Sequence, residues 1–90
     1  MRVGQRRRRD AVEAGIVQAL RCAGWEVLFI SGPGSPDLLC YKRGQWLPLE
    51  VKGPKGKLTP AQVRRQAVAP CPIVSSIEEA LMVSKNASLR

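Results

Sequence analysis

Two short apolar runs, Leu38-Leu39-Cys40-Tyr41 and Trp46-Leu47-Pro48-Leu49, stand on either side of Lys42-Arg43-Gly44. Each run has strand length, and the glycine-containing interruption is a turn signal, so the segment predicts two strands joined by a tight connection. Side chains alternate faces along a strand, so Glu50 and Lys52 point one way and Val51 the other. If the strands pair antiparallel, Asp37 at the start of the first lies across from the end of the second. Asp37, Glu50 and Lys52 then converge at one end of the hairpin. The loop before Asp37, residues 31–36, has two glycines and two prolines. Pro36 stiffens the approach to Asp37, and Gly34 would let a ligand come close to the backbone.

The flanking segments supply the rest of a small α/β domain. Val12, Ile16, Ala19, Leu20 and Ala23 recur at helical spacing, with Asp10 as a cap or first-turn acid and Gly24 as the stop. Glu13 falls at the edge of that stripe, where an exposed surface acid and a site acid are both open readings. Residues 25–30, Trp-Glu-Val-Leu-Phe-Ile, predict a central strand. Thr59 followed by Pro60 starts a second helix, and Gln62 at its third position can close a capping box. Arg64 and Arg65 follow on that helix, which Pro70 and Pro72 end. Ile73-Val74 is a short strand. Ser75 or Ser76 opens a last helix with Glu78 and Glu79 in its first turn and Ala80, Leu81 and Val83 as its buried set. The expected order is α-β-β-β-α-β-α in a single domain spanning residues 1–90, with a basic arm at 1–9 and a polar tail at 85–90.

Charge narrows the partner. The chain carries 15 Lys+Arg against 7 Asp+Glu, a formal net charge of +8, which favours a polyanion, most simply nucleic acid. Aromatic residues are only 4% of the chain, which speaks against a sheet that stacks single-stranded bases on rings. No apolar run approaches a membrane span and no signal-peptide pattern is present, so the expectation is a cytoplasmic protein with no membrane partner. The chain has no histidine and no C-x-x-C pair, which excludes the usual zinc sites and any imidazole base. Cys22, Cys40 and Cys71 each lie among apolar residues and are expected to be small buried hydrophobes in a reducing compartment. Proton transfer, if the chain is an enzyme, falls to a metal-bound water, a carboxylate or a lysine. Two carboxylates and an ammonium at a strand end can bind a divalent cation and hold a water beside it.

Gly34-Ser35-Pro36-Asp37-Leu38, Glu50-Val51-Lys52, Gly56, Leu58 and Gln62 occur in that order. In this the chain resembles the VRR-NUC family, compact members of the PD-(D/E)XK nuclease superfamily, over roughly residues 10–84 and in the manner of its stand-alone phage-type members. The resemblance implies a restriction-endonuclease-like core, a mixed central sheet flanked by helices. It further implies Mg²⁺- or Mn²⁺-dependent hydrolysis of DNA, selective for branched structures such as Holliday junctions, by a homodimer, in the host cytoplasm if phage-encoded.

Carried over residue by residue, Asp37 and Glu50 match the metal-binding acids, with the Val51 carbonyl as a third ligand. Lys52 matches the catalytic lysine, which orients or deprotonates water or stabilises the phosphate. Glu13 matches the acid of the first helix, able to anchor a second metal, and Gln62 the glutamine of the later helix. Gly34, Ser35, Lys55, Lys57, Arg64 and Arg65 are the candidates for contacts to the DNA backbone, which position without reading bases. One departure is clear: the family usually has a glycine between that helix and the next strand, where this chain reads Val68-Ala69-Pro70-Cys71-Pro72. Two other readings stand beside the nuclease. One is a DNA-binding module of the same fold with weak or no cleavage. The other is a small basic protein whose acids are incidental.

Overall fold

The computed structural model describes residues 7–53 and 56–88. In chain order the elements are α1 (Arg7–Cys22), β1 (Glu26–Phe29), β2 (Leu38–Lys42), β3 (Gln45–Val51), α2 (Pro60–Val68), β4 (Ile73–Val74) and α3 (Ile77–Ser88). The strands form one four-stranded sheet in the order β1-β2-β3-β4. The first two pairings are antiparallel and β3 pairs β4 in parallel, so the sheet is mixed and the fold is α/β. This is the element order expected from the sequence. Parallel β4 requires a crossover, and α2 lies in it.

The hairpin is specified locally. Lys42 pairs Gln45, leaving Arg43-Gly44 as a two-residue loop. Both residues have positive φ, 50° and 82°, the backbone signature of a type I′ turn, whose twist matches that of paired strands. Helix α1 stops as its glycine predicts. Gly24 has φ 97°, its N–H donates to the Arg21 carbonyl, and the Trp25 N–H donates to that of Leu20. That pair of bonds is a Schellman ending.

The core lies on one face of the sheet. Val27, Cys40 and Leu47 are partners across β1, β2 and β3, and Leu38 pairs Leu49; all five are buried against Ile16, Val17 and Leu20 of α1 and Ala80 of α3. The opposite face is more open: Leu28, Tyr41 and Trp46 are exposed, with the Tyr41 and Trp46 rings 4.7 Å apart. α2 has no buried residue, so its position depends on polar contacts described below rather than on an apolar stripe.

Four expectations need correction. Arg7, Arg8 and Arg9 of the expected basic arm are helical, which rules out Asp10 as the cap and leaves the other reading of it, an acid early in α1. Residues 1–6 of that arm lie outside the described residues. β1 is an edge strand, not a central one, and of its four residues only Val27 is buried. Cys22 is exposed while Cys40 and Cys71 are buried. It follows Leu20 by two positions, about 200° round the helix, so it cannot share the buried face. Finally, α3 runs on to Ser88, so residues 85–88 of the expected polar tail are helix.

Candidate functional site

Glu50 is the centre. Strand alternation puts Leu47, Leu49 and Val51 into the core and turns Glu50 to the other face, yet its side chain is 0% exposed. The cover comes from α2. Arg65 Nη2 donates to Glu50 Oε1 at 2.7 Å, and Gln62 Nε2 donates to Glu50 Oε2 at 3.0 Å. Lys52 Nζ stands 4.0 Å from Glu50 Oε2 on the same strand face. A carboxylate without water needs such partners, and a bonded arginine is the strongest single one.

Gln62 has two duties. Its Oε1 accepts from the Thr59 N–H at 2.9 Å, and Thr59 Oγ1 accepts from the Gln62 N–H at 3.2 Å, which is the expected capping box. Its amide nitrogen meanwhile reaches Glu50. The cap therefore fixes the side chain that touches the acid, and the structural and the site reading of Gln62 hold together.

Asp37 reaches the same place from β2. One step beyond the Leu38–Leu49 pair, its N–H donates to the Leu49 carbonyl at 3.0 Å. Its Oδ2 accepts from the Val51 N–H at 2.8 Å. Asp37 and Glu50 thus sit at adjacent strand ends. The loop before Asp37 is braced to α2. The Gly34 carbonyl accepts from Arg65 Nε at 2.7 Å, and a Cβ on Gly34 would lie 2.8 Å from the Ala61 carbonyl oxygen. The close approach at Gly34 is made by α2, where a ligand was expected. Ser35 closes the loop on itself through Oγ to the Gly32 carbonyl, 2.9 Å.

Glu13 is buried, which decides against an exposed surface acid. It lies on the stripe of Ile16, Val17 and Leu20, at the spacing of one helix face, rather than at its edge. Of the basic residues proposed for DNA contact, Lys57 and Arg64 are exposed, while Lys55 lies outside the described residues. Arg65 is turned inward: besides Glu50 and Gly34 it donates to Gln66 Oε1 and, at 3.2 Å, to Cys71 Sγ. The sequence reading placed Arg65 on the DNA and missed this role. Gln62 and Arg65 are three apart and share a helix face, but nothing local tells that this face meets Glu50.

Burial pushes the Cys40 thiol up to about 11. Burial also raises that of Cys71, against the opposing pull of the Arg65 guanidinium. In both, burial disfavours the thiolate, the nucleophilic form of the side chain.

The donor set suits a hard divalent cation. Mg²⁺ is commonly held by one or two carboxylates and keeps several waters; Asp37 and Glu50 bring two carboxylates to adjacent strand ends, Asp37 bonded to the N–H of Val51, the residue after Glu50. Among the described residues no group of three or more His, Cys, Asp or Glu side chains is placed to hold a metal ion, so Glu13 is not gathered with the pair into such a group. No helix among the described residues is long and apolar enough to cross a membrane. The chain matches no family model, and no curated protein or solved structure is found similar to it.

Proposed function

We propose that the chain is a divalent-cation-dependent, structure-selective DNA endonuclease with a restriction-endonuclease-like core, cutting branched DNA such as a four-way junction. The observation that carries the reading is the meeting of Asp37 and Glu50 at adjacent strand ends, with Lys52 Nζ 4.0 Å from Glu50 Oε2. Asp37, Glu50 and the Val51 carbonyl would hold Mg²⁺ or Mn²⁺. When bound, such an ion acidifies water and offsets charge on a phosphate oxygen. Lys52, its side chain 15% exposed, is placed to orient the attacking water or to hold the phosphate by charge. The excess of +8 and the exposed Lys57 and Arg64 supply backbone contacts. Glu13 remains a candidate for an outer position, and Ser35 and Gly34 act by shaping the loop.

Two incisions on a symmetric junction require two sites, which a twofold dimer provides. Leu28, Tyr41 and Trp46, exposed on the open sheet face, are apolar surface that a second copy would cover. The runner-up, a DNA-binding module with weak cleavage, is favoured by one observation: both Glu50 oxygens already have protein partners.

Incubation with four-way junction, flap and plain duplex DNA separates the two. Cleavage of the junction in Mg²⁺ or Mn²⁺ and none in EDTA is expected, with paired nicks and a sedimenting mass of about twice the monomer. Binding should weaken steeply with salt and change little when arm sequences are scrambled. Salt-sensitive binding without cleavage in either metal would select the binding module.

A further inference from the structure

We propose that Arg65 is the resident countercharge of Glu50, and that a divalent cation binds by taking the Glu50 carboxylate over from it. The proposal rests on the cation-site reading above. Glu50 is 0% exposed, so before any cation arrives its charge must be met by protein. Lys52 at 4.0 Å is beyond hydrogen-bond length, whereas Arg65 Nη2 is at 2.7 Å. Arg65 is therefore the main partner. Asp37 and Glu50 against Lys52 and Arg65 make a locally neutral site. A divalent cation entering it meets two positive side chains, one of which, Arg65, already holds Glu50 Oε1.

The guanidinium has somewhere to stay when it yields Glu50. Its Nε is held by the Gly34 carbonyl at 2.7 Å, and its Nη1 faces Gln66 Oε1, Cys71 Sγ at 3.2 Å and the Ala69 carbonyl at 3.4 Å. Release of Glu50 therefore leaves Arg65 bonded and still braced to the loop that carries Asp37. Arg65 is a positioning residue in the cation-free state and a competitor of the cation in the loaded one. This lowers resident cation affinity and lets an arriving phosphate, which adds negative charge, raise it.

The test uses the full chain without DNA and Mn²⁺ alone, with free Mn²⁺ read by electron paramagnetic resonance. Arg65→Gln should bind Mn²⁺ about ten-fold more tightly than wild type, the size expected for removing one positive charge a few ångströms from a divalent ion in a partly solvated site. Arg65→Lys, which keeps the charge, should stay near wild type. Asp37→Asn should remove the binding in each background. If Arg65→Gln does not fold, the wild-type protein still decides: Mg²⁺ should shift the Arg65 guanidinium nuclear magnetic resonance signals. Equal or weaker Mn²⁺ binding by folded Arg65→Gln, or Arg65 signals unmoved at saturating Mg²⁺, overturns the competition while leaving the cation site standing. No Asp37-dependent Mn²⁺ binding in any of these proteins overturns both.

Discussion

Asp37→Asn, Glu50→Gln and Lys52→Ala should each reduce junction cleavage by on the order of 10³-fold or more in single-turnover assays at saturating protein. The three act at one point, so their double mutants should be little worse than the singles. Their stabilities should differ, because their contacts do. Asp37→Asn keeps an oxygen for the Val51 N–H and the strand end stays closed. Glu50→Gln keeps the shape but weakens the bond to Arg65. Glu50→Ala goes further and leaves the Arg65 guanidinium, with a side chain only 16% exposed, facing an empty space. Removing one member of a buried pair costs about 3–5 kcal/mol, and this pair, close to the surface on its arginine side, belongs at the low end of that range. Since α2 has no buried residue, the same change should loosen α2 first, seen as faster amide exchange in residues 61–68. Folded Asp37→Asn protein that cleaves at the wild-type rate would remove Asp37, and the cation site built on it, from the mechanism.

What the sequence disclosed about this site was local, and what it withheld was tertiary. The hairpin was legible because two strand-length apolar runs flank a residue pair able to take positive φ, Arg43 and Gly44. Once the hairpin is granted, alternation alone carries Asp37 and Glu50 to one end. The capping box was legible from Thr59, Pro60 and Gln62 for the same reason: it spans four residues. Glu13 was harder. It lies on a face continued by Ile16, Val17 and Leu20, but the stripe drawn through Val12, Ile16, Ala19, Leu20 and Ala23 leaves it at the edge, where a carboxylate is ordinarily a surface residue. The inward turn of Arg65 depends on α2 crossing over the end of β3, which no local pattern encodes. β1 reads as a central strand because Val27, Leu28 and Phe29 are all apolar. Its place at the sheet edge is a matter of strand order, and Leu28 and Phe29 are left exposed there.

Gly34→Ala should destabilise the fold more than Gly44→Ala and should alone impair cleavage. Both glycines have positive φ, 78° and 82°, so both substitutions carry the same backbone penalty, about 1–2 kcal/mol. Their surroundings differ. A Cβ at Gly44 meets nothing within 4 Å, whereas one at Gly34 lies 2.8 Å from the Ala61 carbonyl oxygen and 3.1 Å from its carbon. That contact is with helix backbone, which cannot step aside as a flexible side chain would. The loop and α2 must separate, and Arg65 Nε then loses the Gly34 carbonyl that it holds at 2.7 Å. Because the same guanidinium carries Glu50, and the loop leads within three residues to Asp37, the strain is delivered to both acids at once. The expected total for Gly34→Ala is about 3 kcal/mol, and in a domain of this size each kcal/mol lowers the melting temperature by about 4–8 °C. Gly44→Ala, confined to a turn remote in register from Asp37, should lose the smaller increment and retain wild-type cleavage. Thermal melts of the two variants side by side, with junction cleavage measured well below both midpoints, isolate the loop-to-helix contact from the cost of positive φ. Equal melting temperatures for the two, with cleavage intact in both, would show that α2 does not set the spacing of Asp37 and Glu50.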